Sequence, residues 1–215
     1  MKNYILLIIF GILLGISSIQ AQNEHIEPIE SIFDEYDFRF EYYSLIREVL
    51  MNGMSDTPEV RFLIIPSFAV EEVVAIEERN GKYYIVHHKM QNSIWYTEKN
   101  KEKIKVLKKA VEISKADMQL YHELFKVAVN NREYPEKEIL GFDGVNYYFS
   151  AKNDENNKTR TGTTWSPSEK SKIGGLTNIG NSLIQLAEST DENKIAKLET
   201  KLTEQIKKLT IELGK

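Results

Sequence analysis

The chain has no cysteine among its 215 residues. A protein without cysteine forms no disulfide, has no thiol nucleophile and offers no thiolate to a metal ion. It also lacks the residue to which the lipid of a bacterial lipoprotein is attached. An exported protein of this composition must therefore depend on its hydrophobic core for stability.

A strong excess of one charge is also absent. The sequence has 28 Lys and Arg against 32 Asp and Glu, which gives a formal net charge of −4. This balance lacks the basic footprint of a protein that binds nucleic acid, so we expect no nucleic-acid partner. The hydrophobic content of 41% can supply a sizeable core, which argues against general disorder.

The first 21 residues have the layout of a secretory signal peptide. Lys2 is followed by an apolar run from Tyr4 to Ile19, and Ala21 is a small residue where cleavage is expected. The alternative is an uncleaved membrane anchor, but the run is short for a span of about 20 residues. We predict an exported protein, periplasmic or secreted, in which residues 22–215 form one domain with no membrane attachment after cleavage.

The clearest strand signals lie between residues 60 and 90. Val60 to Ile65 is apolar and β-branched, and Pro66 ends the run. The following segment, EEVVAIEERNGKYYIVHHKM, predicts a hairpin because Asn80-Gly81 is the favoured pair for a tight type I′ turn. Pairing Arg79 with Lys82 across that turn fixes the register of the whole hairpin.

Two adjacent histidines, His87 and His88, lie on the second strand of this hairpin. Adjacent strand residues point to opposite faces of a sheet, so the two imidazoles cannot bind one metal ion together. In the predicted register His87 faces Val74 and His88 faces Val73, and neither lies beside a pair of carboxylates. We therefore expect hydrogen-bonded sheet residues, with no metal site and no cofactor.

Further strands are predicted around a polar turn at Lys99–Lys105. Asn92–Tyr96 resembles the start of a strand, and Lys105–Ile113 is interpreted as a strand, although its pattern also fits a helix. Asp143-Gly144 predicts the tight turn of a second hairpin over Ile139–Ala151. The polar stretch Lys152–Thr163 is predicted to be a surface loop.

Apolar residues at helical spacing recur in four segments. These are residues 42–50, 115–131, 171–188 and 191–213. Ser114 with Asp117 predicts the N-terminal cap of the second segment, and Ser189 with Glu192 predicts a capping box for the last. Glycines in the third helix would let a neighbouring element approach it closely.

The last helix has the most regular apolar stripe. Its members are Ile195, Leu198, Leu202, Ile206, Leu209 and Leu213. Such a helix binds a partner, lies on a membrane or packs on its own domain, and we favour the last because amphipathic helices usually face a core. The charge mix is not basic enough for a membrane helix. The whole pattern predicts an α+β fold, in which an antiparallel sheet built from hairpins is covered by helices.

Motifs of known catalytic chemistry are missing. There is no G-x-S-x-G elbow for a serine nucleophile, and GGLTNIG in the third helix lacks the ending of a phosphate-binding loop. Glu71, Glu72 and Asp143 could supply the two carboxylates of a glycosidase, but spacing along the chain does not give their separation. We therefore favour a protein that is not an enzyme.

Aromatic residues are the better functional lead. Trp165, Trp95, Tyr84 and Tyr148 are the candidate binding residues, because exposed aromatic side chains stack on sugars or anchor a partner protein. The alternative for each is packing in the core. Trp165 is the strongest candidate, since it lies beside Ser166-Pro167 where a loop meets a helix.

Four motifs together resemble a group of uncharacterised small exported bacterial proteins. They are PSFAVEE at Pro66–Glu72, IWY at Ile94–Tyr96, FDGVNYYFSA at Phe142–Ala151 and TWSP at Thr164–Pro167. The resemblance spans about residues 60–190 and implies export and a single domain, but no activity and no functional residue. The sequence thus predicts an exported, non-catalytic protein that binds a protein or an envelope component. The alternative is an enzyme acting on cell-envelope glycans.

Overall fold

The computed structural model describes residues 25–33, 39–135 and 143–215, so the predicted signal peptide lies outside the described part of the chain. The strands are β1 Glu27–Ile29, β2 Val60–Pro66, β3 Glu72–Arg79, β4 Lys82–Met90, β5 Val106–Ile113, β6 Val145–Lys152 and β7 Thr159–Trp165. The helices are α1 Phe40–Leu45, which continues as a π-helical segment over Ile46–Leu50, α2 Lys115–Asn130, α3 Lys172–Glu188 and α4 Glu192–Leu213. A short 3-10 turn at Lys101–Lys103 precedes β5.

The described strands form one seven-stranded sheet in the order β1-β7-β6-β2-β3-β4-β5. Every neighbouring pair is antiparallel. The predicted hairpin of β3 and β4 is confirmed with its register, because Arg79 pairs with Lys82 and Val74 pairs with His87. Asn80 and Gly81 both have positive φ, as the type I′ turn requires.

Helices cover both faces of the sheet, so the fold is α+β as predicted. On one face Phe62, Ile85 and Phe149 pack under α2 and α3 in a single core cluster. The C-terminal helix α4 packs on α2 and α3 and buries Leu202, Ile206 and Leu209, which confirms that it lies on its own domain. None of the helices in the described segments is long and apolar enough to cross a membrane.

A second, smaller core lies on the opposite face. Here Tyr43, Ile46 and Leu50, from α1 and its π-helical continuation, pack on Leu63 and Tyr148 of the sheet. Tyr147 and Phe149 point to the larger core while Tyr148 points to this one, which confirms the predicted alternation along β6. The short helix α1 thereby fixes one end of the sheet on this face.

The predicted N-terminal cap is confirmed for α2 but not for α4. The Ser114 hydroxyl accepts a hydrogen bond from the Asp117 N–H at 3.1 Å, which confirms the predicted cap of α2. For α4 the predicted box of Ser189 with Glu192 was wrong by two residues. Asp191 is the cap, and its carboxylate accepts from the N–H groups of Asn193 and Lys194 at 3.0 and 3.2 Å.

The predicted second hairpin was wrong, because both edges of its second arm pair with other strands. Its first arm, 139–142, lies outside the described residues, but β6 is already hydrogen-bonded on one edge to β2 and on the other to β7. The hairpin observed is β6 with β7, joined by residues 153–158. The predicted loop Lys152–Thr163 therefore holds a strand from Thr159 onward.

The predicted strand at Asn92–Tyr96 was also wrong, because these residues form a tight turn. The Thr97 N–H donates to the Ser93 carbonyl at 3.1 Å. The carboxylate of Glu71, from a distant part of the sequence, binds the start of this turn. The interpretation of Lys105–Ile113 as a strand was correct, since β5 pairs with β4 over its full length.

Candidate functional site: an aromatic end of the sheet

Glu71, a fully buried carboxylate, organises one end of the sheet. It is 0% exposed and lies just before β3. Its Oε1 accepts hydrogen bonds from the Tyr42 hydroxyl at 2.8 Å and the Ser93 hydroxyl at 3.0 Å. Its Oε2 accepts from the Ile94 N–H at 3.2 Å. Three donors compensate for the desolvation of the carboxylate, so it joins α1 to the turn at Ser93–Thr97.

This arrangement presents aromatic side chains to solvent. Trp95 is 57% exposed and Tyr96 is 56% exposed on the turn that Glu71 holds. Phe68, in the connection between β2 and β3, is 73% exposed. The Tyr96 hydroxyl donates to the Ser67 carbonyl at 2.6 Å, which ties the two loops together at one end of the sheet. We call Phe68, Trp95 and Tyr96 the aromatic end.

Trp95 is supported from beneath by another ring. The ring of Tyr42 meets the indole edge-on, with centroids 5.4 Å apart and planes at 85°. Burial, followed by the charge of the Glu71 carboxylate, raises the pKa of Tyr42 above its ordinary value. The phenol therefore stays protonated and remains a hydrogen-bond donor to Glu71. The exposed indole of Trp95 thus packs on the Tyr42 side chain, whose backbone lies in α1 and whose hydroxyl is bound to Glu71.

Trp165 lies half-buried beside the same end of the sheet. The N–H of Ser67 donates to the Gly144 carbonyl at 2.8 Å, and the Gly144 N–H donates to the Ser67 hydroxyl at 3.1 Å. The indole of Trp165 lies so close to Gly144 that a Cβ there would come within 2.6 Å of its nitrogen. Only glycine fits at 144, and the contact places Trp165 next to the loop that carries Phe68.

The residue after Trp165 has an unusual backbone conformation. Ser166 has φ of 40°, although it precedes a proline and is not glycine. Two hydrogen bonds hold it: its N–H donates to the Val145 carbonyl at 2.9 Å, and its hydroxyl accepts from the Val145 N–H at 3.0 Å. Strained residues held in this way often support functional sites, and this one fixes the direction in which the chain leaves Trp165.

The structure brings together two of the four predicted binding residues. Trp95 belongs to the aromatic end, and Trp165 lies next to it. Tyr84 is at the opposite end of β4, where its hydroxyl lies 3.4 Å from a carboxylate oxygen of Glu112. Tyr148 is 7% exposed and its hydroxyl pairs with that of Tyr43 at 2.9 Å, so it offers little surface to a partner.

Sequence reasoning missed Phe68 and Tyr96 as candidate residues. Phe68 lies in the loop Ser67–Glu71, where no periodic pattern separates an exposed ring from a buried one. The signal available was its position in a short connection next to Pro66, since loop residues on rigid scaffolds often carry function. Tyr96 was interpreted as a strand residue, so its position on an exposed turn was not predicted.

The two adjacent histidines point to opposite faces, as predicted. His88 Nδ1 lies 2.8 Å from the Leu50 carbonyl oxygen, beneath the π-helical segment. The expectation that neither histidine has a pair of carboxylates beside it was wrong for His87. Its Nε2 lies 3.2 Å from Glu72 and its Nδ1 lies 3.7 Å from Glu188 of α3. The carboxylates flank opposite edges of the ring, and no group of three ligating residues in the described segments could hold a metal ion.

The neighbouring carboxylates Glu71 and Glu72 do not face a common cleft. Glu71 points toward α1, whereas Glu72 points to the other face, toward His87 and Lys89. Burial raises the pKa of Glu72, but the hydrogen bonds from His87 and Lys89 outweigh burial and hold the pKa below its ordinary value. This pair therefore lacks the shared geometry of the two carboxylates in a glycosidase.

A polar cleft of about 240 Å³ lies at the other end of β6 and β7. Its lining includes the cations Lys126, Lys152 and Arg160. All three are already engaged: Lys126 with Asp154 at 3.0 Å, Lys152 with Glu59 at 2.9 Å and Arg160 with the Asn130 side-chain oxygen at 2.7 Å. All three cations are thus already bound within the chain, and the aromatic end remains the better candidate site.

Comparison with protein-family models, with curated proteins and with solved structures finds no match to this chain.

Proposed function

We propose that this protein is an exported, non-catalytic binding protein whose aromatic end docks on the surface of a protein partner. The observation that carries the proposal is the exposure of Phe68, Trp95 and Tyr96 on two loops joined by the hydrogen bond from Tyr96 to Ser67. Exposed aromatic residues on a rigid support are typical of the residues that dominate protein interfaces. Because their support is already ordered, binding costs little conformational entropy.

A protein partner fits this surface better than a sugar does. Three hydroxyls beside the rings are used internally: those of Tyr42 and Ser93 bind Glu71, and that of Tyr96 binds the backbone. A sugar ring needs polar groups to replace the water on its hydroxyls, since unpaired polar groups are costly to bury. An apolar patch on a partner protein makes no such demand.

Other features support the remaining parts of the proposal. The N-terminal sequence pattern favours export, and the resemblance to small exported bacterial proteins agrees with it. The carboxylate that supports Trp95 through Tyr42 is fully buried and has three donors, so it is not presented to a substrate. These observations favour binding over the alternative of an enzyme acting on envelope glycans.

Site-specific photo-cross-linking in the producing cells tests the proposal. A photoreactive benzoylphenylalanine replaces Phe68, which keeps an aromatic ring at the position. The control position is Ile211, which is 61% exposed on α4, in the helical layer on the opposite side of the sheet from Tyr42. We expect one discrete protein adduct from position 68 and none from position 211.

Two results would contradict the proposal. The first is an absence of protein adducts at position 68 when the expressed protein is intact and abundant. The second is the same adduct pattern at both positions, which would indicate contact without a specific surface. Adducts that carry glycan rather than protein would replace the proposed partner with an envelope sugar.

A further inference from the structure

One edge of the sheet is long, and no other described strand pairs with its outer side. The edge strand β5 runs over eight residues, Val106–Ile113, and pairs with β4 along one side only. Within the described residues, no hydrogen bond joins the outward backbone groups of β5 to another part of the chain. Unpaired edges of this kind are templates for another strand. The opposite edge, β1, has three residues and contains Pro28, which cannot donate to a ladder.

The sequence of β5 is complementary to itself in one antiparallel register. Lys108, Ala110 and Glu112 point to one face of the sheet, because they alternate along the strand. If a two-fold axis perpendicular to the sheet passes beside Ala110, Lys108 of each copy lies opposite Glu112 of the other. Within its own chain Lys108 Nζ donates to the Asn52 carbonyl at 2.5 Å, and Glu112 Oε2 accepts from Lys82 Nζ at 2.9 Å. The pair between copies therefore uses the other hydrogens of the Lys108 ammonium and the Oε1 of Glu112. Directly opposite charges of unlike sign stabilise a strand pair, and this register forms two such pairs.

The other face of the same register is also compatible with pairing. Leu107, which is 52% exposed, lies opposite Ile113 of the second copy, and Lys109 lies opposite Val111. Neighbouring registers are less favourable. An axis beside Lys108 or Lys109 places two like charges directly opposite each other, and an axis beside Val111 forms no pair of unlike charges. Edge lysines usually prevent association, and here the pairing of Lys108 with Glu112 favours one register.

We propose that β5 binds β5 of a second copy of this chain, antiparallel and with Ala110 at the two-fold axis. The sheets of the two copies then join into one continuous sheet. The partner is a second copy rather than an unrelated strand because Lys108 and Glu112 are correctly spaced to pair with each other across the axis. The inference is independent of the aromatic end, so either proposal can fail without the other.

Disulfide trapping tests this register. Because the sequence has no cysteine, an introduced cysteine can form a disulfide only with its copy in the second chain. In the proposed dimer the two copies of Ala110 are directly opposite, within the Cα separation that a disulfide spans. The variant A110C, expressed with its complete N-terminal segment, should form a covalent dimer on mild oxidation. The control K108C should not, because the two copies of residue 108 are offset by four residues, about 13 Å along the strands.

A charge exchange provides a second test that does not depend on oxidation. In sedimentation equilibrium, K108E and E112K should each weaken the dimer by about tenfold or more, because each change places like charges opposite one another twice. The double variant K108E/E112K should restore the affinity of the wild type. A monomer at all concentrations, no preference for cross-linking at position 110, or equal affinity in all charge variants would overturn the proposal.

Discussion

The hydroxyl of Tyr42 on α1 donates to the carboxylate of Glu71 at 2.8 Å, across 29 positions of the sequence. Tyr42 also supports the exposed indole of Trp95, while Glu71 holds the backbone of the same turn through Ile94. The aromatic end is therefore built around one buried charge. Its geometry depends on a hydrogen-bonded group that no partner would contact.

Removal of that carboxylate should destabilise the protein and release the turn. In Glu71→Ala, three donors that include the Ile94 N–H lose their acceptor in a buried site, so the free energy of unfolding should fall by about 2–3 kcal/mol. Urea denaturation measures the loss, and the fluorescence of Trp95 should change in the folded state. Glu78→Ala, which removes an exposed carboxylate of β3, should cost less than about 0.5 kcal/mol. Equal effects of the two substitutions would contradict the central role of Glu71.

The packing of α3 on the sheet gives a matched pair of glycine substitutions. A Cβ at Gly180 would come within 2.3 Å of the Phe62 ring, which is buried and cannot move freely. Gly180→Ala should therefore lower the free energy of unfolding by about 1–3 kcal/mol. At Gly175 a Cβ would make an ordinary contact with Leu209 at 3.5 Å, so Gly175→Ala should stabilise the helix by up to about 1 kcal/mol. Thermal unfolding of the two variants should shift in opposite directions.

The N-terminus of α4 tests which residue is the cap. Asp191→Ala removes the acceptor of the Asn193 and Lys194 N–H groups and should cost about 1 kcal/mol. Ser189→Ala removes only a long contact of 3.4 Å to the Asp191 N–H and should have little effect. Chemical denaturation of both variants measures the difference. A larger loss of unfolding free energy in Ser189→Ala than in Asp191→Ala would identify Ser189 as the cap instead.

The buried ring of His88 should make stability fall in mild acid. Burial lowers the pKa of His88 below its ordinary value of 6.5, and this effect outweighs the hydrogen bond to the Leu50 carbonyl, which favours the charged ring. The unfolded chain therefore binds a proton at a higher pH than the folded protein does. The stability that this difference supplies is fully present above about pH 6.5 and is lost as the pH falls below it.

The substitution His88→Asn isolates this effect. An asparagine amide can still donate to the Leu50 carbonyl but does not titrate. The free energy of unfolding, measured by urea denaturation from pH 7.5 to 5, should fall less steeply with decreasing pH in the variant than in the wild type. Identical pH dependence in the two proteins would show that His88 does not contribute.

Local signals in the sequence predicted the parts of the fold that depend on neighbours along the chain. Asn80-Gly81 and the alternation on either side were enough to give the register of β3 and β4, because a type I′ turn fixes it. The apolar stripes of the helices and the Ser114 cap of α2 are equally local, whereas the cap of α4 was predicted two residues too early. Asp143-Gly144 led to a wrong hairpin because a turn signal is also local. It does not show that β2 and β7 pair with the two edges of β6.

Long-range contacts explain what the sequence did not predict. The strand β7 has the sequence TRTGTTW, which lacks an alternating apolar pattern, and pairing with β1 and β6 on its two sides makes it a strand. The turn at Ser93–Thr97 depends on Glu71, a residue 22 positions earlier. Trp95 was named as a candidate because it is aromatic, and its exposure next to Phe68 follows from these distant contacts.

The most direct test of the central claim is a quantitative affinity capture from the native envelope extract. The wild type, the double variant F68A/W95A and the control I211A serve as baits, and the retained proteins are compared by mass spectrometry. We predict one protein retained in stoichiometric amount by the wild type and by I211A, and lost with F68A/W95A. Equal retention by all three baits, or retention of no protein by the folded wild type, would contradict the assignment of the aromatic end as a protein-binding surface.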